Sequence, residues 1–220
     1  MRLNKFLALS TSLSRRAADQ AILSGRVSVN SEPAQIGQEV TSGDKVILSG
    51  MILKLPRYKT VLFNKPVGYI VSRAGQGNKT IYDILPDSLR DLKPVGRLDK
   101  DSSGLLVLTN NGDLAQRLTH PSFQKTKIYQ VTLDKPLSEN HKSRIQKGLT
   151  LEDGISRLGL NGSGMNWAIS MEEGRNRQIR RTFQALGYKI LKLHRTSFGS
   201  YEINQLKTGE YIAISTDDIL

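Results

Sequence analysis

The stretch Pro94-Val95-Gly96-Arg97-Leu98-Asp99-Lys100-Asp101-Ser102-Ser103-Gly104-Leu105-Leu106 sets a polar loop, bracketed by two glycines, directly against an apolar strand. Arg97, Asp99 and Asp101 thereby stand at the entrance of a buried element, on a loop held by a rigid scaffold, which is where binding and catalytic groups concentrate. The residues alone leave two readings open. The charges form a site, or Arg97–Asp99 and Lys100–Asp101 are surface ion pairs worth under about 1 kcal/mol.

A second charged stretch runs from Glu172-Glu173-Gly174-Arg175-Asn176-Arg177-Gln178-Ile179-Arg180-Arg181 into Thr182–Gly187. At about 100° per residue, Ile179, Phe183 and Leu186 share one helical face and form the core stripe. Arg180 falls at the edge of that stripe and Arg181 on the opposite side. Arg180 can therefore reach an interior acid, which a buried guanidinium needs to tolerate desolvation. Arg177 and Arg181 are better placed for phosphates. A plain amphipathic helix with a basic solvent face is the alternative.

Working outward, strands are expected at Val61–Asn64, Leu105–Thr109, Ile128–Leu133, Trp167–Met171, Lys189–Leu193 and Tyr211–Ser215. Helices are expected at Ile81–Leu85, Asp113–Thr119, Glu139–Gly148 and Arg177–Leu186. This interleaving lacks the regular spacing of a parallel sheet and predicts an α+β domain with a mixed, mostly antiparallel sheet flanked by helices. Residues 1–50 read as a separate small module of two helices plus short strands. Leu3, Phe6, Leu7 and Ala8 give one helical stripe; Ser14 caps a second helix over Arg15–Ser24 that Gly25 stops. Val27 and Val29, an Asn30-Ser31 turn and Asp44–Leu48 supply the strands. Residues 51–59 contain a proline, show no period and read as a linker, which leaves 60–220 as the larger domain.

Composition narrows the function. The 220 residues include 32 Lys+Arg and 20 Asp+Glu, a formal charge of +12 with a pI near 10. Such a charge attracts polyanions, either nucleic acid or an anionic membrane surface. There is no cysteine, which excludes disulfides, thiolate catalysis and Cys-based metal sites. His120, His141 and His194 are scattered without metal-ligand spacing, so no metal is expected. Gly75-Gln76-Gly77-Asn78-Lys79-Thr80 lacks the spacing of a phosphate-binding loop. Apolar runs such as Gly104–Leu108 are too short to span a bilayer. The N-terminus has no signal-peptide pattern, and a cytoplasmic protein is the expectation.

Together these residues resemble the RNA pseudouridine synthases. Gly96-Arg97-Leu98-Asp99 with Ser102-x-Gly104-Leu105 is similar to the family signature, and Gly174-Arg175-x-Arg177-Gln178-Ile179-Arg180-Arg181 to its late Arg motif. Leu108-Thr109-Asn110-Asn111-Gly112-Asp113-Leu114 and His120-Pro121 are similar to the RsuA/RluB-type branch, which modifies ribosomal RNA. Arg2-Leu3-x-Lys5-Phe6-Leu7-Ala8, Ser14-Arg15-Arg16-x-Ala18-Asp19 and Gly25-Arg26-Val27-x-Val29-Asn30 resemble the S4 RNA-binding module. The likeness covers nearly the whole chain, with Ser102 where many members carry Thr and Asn30-Ser31 in place of a common Asn-Gly.

The resemblance implies the pseudouridine synthase fold and isomerisation of a specific uridine in ribosomal RNA or a pre-ribosomal particle. It makes Asp99 the catalytic carboxylate, Tyr129 the stacking and proton-transfer residue and Arg180 the ion-pair partner of the aspartate. Arg97 helps expel the target nucleotide, and Leu193 lies beneath the uracil. Lys5, Arg15, Arg16, Arg26, Arg97, Arg177 and Arg181 are the expected RNA contacts. The reaction cuts the N1–C1′ bond, turns the uracil and rejoins it through C5, needing neither metal nor redox cofactor. A carboxylate suits attack at, or stabilisation of positive character near, C1′. Motif style leans towards the large subunit, and a monomer would suffice. The competing reading is a non-enzymatic S4-type RNA-binding protein of the ribosome. Residues 1–50 carry only 6 basic and 4 acidic side chains, so +10 of the +12 lies on residues 51–220.

Overall fold

Leu3, Phe6 and Leu7 recur three and four residues apart and bury one side of helix α1 (Leu3–Ser10) against Ala18, Ala21 and Ile22 of α2 (Arg15–Leu23). The computed structural model describes residues 1–11, 13–123 and 125–214. They divide into two compact units, Met1–Tyr58 and Lys59–Leu220.

In the first unit the Ser14 hydroxyl accepts the Ala17 amide at 3.1 Å and caps α2. At the other end Gly25 takes φ 69°, which lets the Arg26 amide reach back to the Ala21 carbonyl at 3.1 Å. An antiparallel sheet of order β2-β1-β3-β4 covers the helices, built from β1 (Val27–Val29), β2 (Glu32–Pro33), β3 (Val46–Leu48) and β4 (Met51–Ile52). Asn30 and Ser31, both at positive φ (52° and 74°), make the tight turn between β1 and β2. Strand β4 corrects the expected linker. Met51 and Ile52 pair with Leu48 and Ile47, and Leu53 packs on the module's core. Both β4 side chains are exposed, and two residues carry no alternation from which a strand can be read.

The second unit contains β5 (Thr60–Lys65), β6 (Lys93–Val95), β7 (Ser103–Thr109), α3 (Gly112–Thr119), β8 (Lys127–Leu133), α4 (Glu139–Lys147), β9 (Leu149–Leu151) and β10 (Gly154–Ser156). It continues with β11 (Gly159–Ser163), β12 (Asn166–Met171), α5 (Gln178–Gln184), β13 (Ile190–Phe198), β14 (Tyr201–Glu202) and β15 (Tyr211–Ile214). The main sheet runs β11-β12-β8-β13-β7-β5-β15, with β6 also on β7 and β14 on β13; β9 and β10 form a separate hairpin. Its pairings are antiparallel except β13–β7. The fold class is therefore as expected, α+β with a mixed, mostly antiparallel sheet.

The apolar run Leu105–Leu108 follows from burial on both faces. Leu106 and Leu108 join one core with Val61, Phe63 and Val131, while Leu105 and Val107 join another with Leu114 and Phe198. Several expected elements shift. The segment at Ile81 is a short 3₁₀ turn, Ile81–Asp83, closed by a Thr80/Asp83 capping box. The last expected strand ends at Ile214, its final residue Ser215 lying outside the described residues. Strand β13 runs on to Phe198 because Arg195 and Ser197 are buried, and polar residues at buried positions disguise the alternation.

Candidate active site

The polar loop between β6 and β7 is fastened from beneath by Lys65, the last residue of β5. Its ammonium is buried and donates to the carbonyls of Pro66, Asp99 and Ser102 at 2.9, 3.1 and 2.8 Å. Burial pushes this lysine down from 10.5 to about 8, against the pull of Asp99 and Asp101. The Ser102 amide closes the loop on the Asp99 carbonyl at 3.1 Å, and the Gly68 amide holds the Lys100 carbonyl at 2.7 Å. Gly104 ends the loop where β7 meets β13. Its φ is +109°, and a Cβ there would sit 2.2 Å from the Arg195 carbonyl oxygen. Only glycine lets the two strands approach this closely.

Arg177 and Arg180 clamp the loop from the other side. Arg177 precedes α5 in the left-handed conformation (φ 47°, ψ 31°) rather than starting the helix as expected. Its guanidinium forks onto both Asp101 carboxylate oxygens at 3.2 Å and lies 3.6 Å from Asp99 Oδ2. Arg180 corrects the expected pairing: its ion pair is with Asp101, Nε to Oδ2 at 3.2 Å, not with Asp99. It also donates to the Asp101 carbonyl at 2.8 Å and the Ser102 hydroxyl at 3.2 Å. Burial acts against the Asp101 carboxylate, but Arg177 and Arg180 hold it below the usual carboxylate range. Which acid Arg180 meets depends on the path of the loop, which helical periodicity does not encode. Arg181 is bound by both oxygens of Asp153, at 2.6 and 2.9 Å, and Arg175 shares the same carboxylate. The guanidiniums of Arg177 and Arg181, expected on phosphates, are thus engaged by carboxylates.

Arg175, Arg177 and Arg180 border a cavity of about 850 Å³ whose wall also includes Arg97, Asp99, Tyr129 and Leu193. Tyr129 on β8 and Leu193 on β13 are nearly buried, at 8% and 6% exposure. Asp99 is partly open to the cavity, with its side chain 31% exposed, and Arg97 is exposed. The fold therefore brings Asp99 and Leu193, 94 positions apart, around one space lined by a carboxylate, a phenol and an apolar side chain. In the first unit Arg15, Arg16 and Arg26 are exposed and Lys5 is half-buried. Among the described residues no group of three His, Asp or Glu is placed to hold a metal ion, and no helix is long and apolar enough to cross a membrane.

A family model described as RNA pseudouridylate synthase matches residues 59–185. The chain belongs to that family. A model of the S4 domain matches residues 1–46 of this pseudouridine synthase. It is 32% identical to an uncharacterized RNA pseudouridine synthase of Aquifex aeolicus, over 100% of this chain and 92% of the relative. It is 36% identical to the ribosomal large subunit pseudouridine synthase B of Xylella fastidiosa, over 90% of this chain and 45% of the relative. A crystal structure of a pseudouridylate synthase matches it with a TM-score of 0.71 and 31% identity, covering 100% of this chain and 98% of the other.

Sequence reading of this synthase passed over Lys65, Lys127 and Arg195. Lys65 ends an apolar strand directly before Pro66, where a lysine ordinarily marks the exposed end. In the structure Thr60–Lys65 is buried along its whole length, which leaves no solvent for the terminal ammonium. Lys127 and Arg195 both line the cavity, and neither stands out by spacing.

Proposed function

We propose that this pseudouridine synthase isomerises a specific uridine in ribosomal RNA, with Asp99 as the catalytic carboxylate. What carries the reading is the gathering of Asp99, Tyr129 and Leu193 on the wall of one cavity. Arg177 sets a positive charge 3.6 Å from the Asp99 carboxylate. Asp99 acts on C1′ as the N1–C1′ bond breaks. Tyr129 stacks on the freed uracil and assists removal of the C5 proton after the new C–C bond forms. Leu193 supports the base from below. Arg180 acts through Asp101 and Ser102, and its charge also bears on Asp99. Arg97 fills the space left by the flipped nucleotide, whose extrusion costs a few kcal/mol, while Lys5, Arg15, Arg16 and Arg26 contact phosphates. In this proposal a single copy of the chain suffices. The name of the Xylella relative favours large-subunit RNA.

The test is to map pseudouridines in ribosomes from a strain lacking this protein, then restore it as wild type or as Asp99→Asn. One rRNA position is expected to lose its pseudouridine and to regain it with the wild type alone. An unchanged map overturns the rRNA substrate. Restoration by Asp99→Asn overturns the carboxylate assignment.

A further inference from the structure

Beyond the groups given a role above, the cavity wall carries Lys125, Lys127 and Arg195. Among the described residues none of these three forms an ion pair, whereas Arg175, Arg177 and Arg180 all do. Arg195 is 2% exposed. Its Nε donates to the Leu105 carbonyl at 2.8 Å, yet among the described residues one terminal guanidinium nitrogen is buried without a hydrogen-bond partner. Buried donors are almost always satisfied, and an unsatisfied one on a residue of a cavity wall asks for an acceptor from outside the protein.

Lys127 stands beside it. Its Nζ lies 5.3 Å from the centroid of the Phe198 ring, and the Arg195 guanidinium carbon lies 4.9 Å from the same centroid. The ammonium is held by carbonyls, those of Lys125 at 3.2 Å, Glu172 at 2.7 Å and Glu173 at 3.5 Å. The Glu172 carboxylate attracts it without forming an ion pair, and Arg195 repels it. Two cations thus share one aromatic ring, and among the described residues neither forms an ion pair with a carboxylate, an arrangement that an anion would relieve. Strand register sets Arg195 directly opposite Tyr129, beside the residue that stacks on the base.

We propose that Lys127 and Arg195 form the seat of a phosphate group, the one flanking the target uridine in the RNA chain. A phosphodiester offers two non-bridging oxygens, one for the open guanidinium nitrogen and one for the ammonium, in charge-assisted bonds stronger than neutral ones. Lys125 adds a third positive charge on the same wall. The seat rests on the pseudouridine synthase reading for the identity of the ligand. It locates phosphate recognition inside the cavity, on cations that carboxylates leave free.

The test titrates uridine, uridine 5′-monophosphate and uridine 3′-monophosphate into the full chain. One of the two monophosphates is expected to bind at least about tenfold more tightly than uridine. That advantage should fall below about threefold in Lys127→Gln and in Arg195→Gln, with uridine bound as before. Lys127→Gln, at a partly exposed side chain, keeps the test decisive if Arg195→Gln does not fold. Lys147→Gln removes the same charge outside the cavity and should leave the advantage intact. No phosphate advantage in the wild type, or an equal loss in Lys147→Gln and Lys127→Gln, overturns the seat. Pseudouridine formation assayed in the same preparations separates the two readings. Wild type that modifies RNA without a phosphate advantage loses the seat alone, and one with the advantage but no modification loses the function alone.

Discussion

Arg180 and Asp101 are joined twice, side chain to side chain at 3.2 Å and guanidinium to main-chain carbonyl at 2.8 Å. Through Asp101 this pair ties helix α5 to the loop that presents Asp99, while Lys65 ties the same loop to β5. The Asp99 carboxylate is therefore placed by a clamp with two jaws.

If Arg180 positions rather than binds, Arg180→Ala should lower single-turnover pseudouridine formation by about a hundredfold, the order expected from a misplacement near 1 Å. RNA affinity should change by less than about threefold, well under the loss of a charged contact. Filter binding and single-turnover assays on the same RNA measure the two. A parallel collapse of affinity would reassign Arg180 to phosphate contact.

Gly104→Ala should be severely destabilising, by about 3 kcal/mol or more. The added methyl meets the Arg195 backbone, with contacts of 2.2 Å to its oxygen and 2.5 Å to its nitrogen, at a φ of +109° that side chains rarely adopt. Urea denaturation of the purified variant measures the loss. A midpoint equal to that of the wild type would contradict the packing described at this junction.

Lys65 gives a pH signature. The unfolded lysine keeps its proton up to about 10.5, and the folded one releases it at about 8. Between those values the unfolded chain binds more protons, so this residue's contribution rises with pH; below 8 the full cost of burying the charge is present. Wild-type stability relative to Lys65→Met should therefore increase by about 2–3 kcal/mol from pH 7.5 to pH 10. Taking the difference cancels other lysines, and a flat difference would contradict the shift.

The central sheet was legible because Leu105–Leu108 is continuously apolar and because Val61, Val131 and Ile169 alternate or cluster as buried strands do. The Asp99 loop was legible from its glycines and charges. The Arg180–Asp101 pair was not, since helical phase gives the direction of a side chain but not which turn of a distant loop it meets. Arg195 stayed hidden for a different reason. An arginine within an apolar strand reads as the strand's end, and only the cavity beside it explains its burial. Met51–Ile52 was too short for any periodicity to register.

Salt should weaken RNA binding by residues 59–220 alone, because most of the excess charge lies outside the S4 module. Affinity of that unit is expected to fall by at least about tenfold between 50 and 200 mM salt, consistent with several displaced counterions. Fluorescence anisotropy with a labelled rRNA fragment provides the check. Loss of all binding on removal of the first 58 residues would move the grip to the S4 module.

The parallel contact between β7 and β13 consists of two residue pairs, His194 with Ser103 and Arg195 with Gly104. On one side of this seam lie β7, β5 and β15, and on the other β13, β8, β12 and β11. The loop bearing Asp99 belongs to the first half, whereas Tyr129 and Leu193 belong to the second. The spacing between the Asp99 carboxylate and the Tyr129 ring is thus a property of how two half-sheets are spliced. Outer strands and surface loops can drift without altering it, while a change of one methyl group at the splice alters it at once.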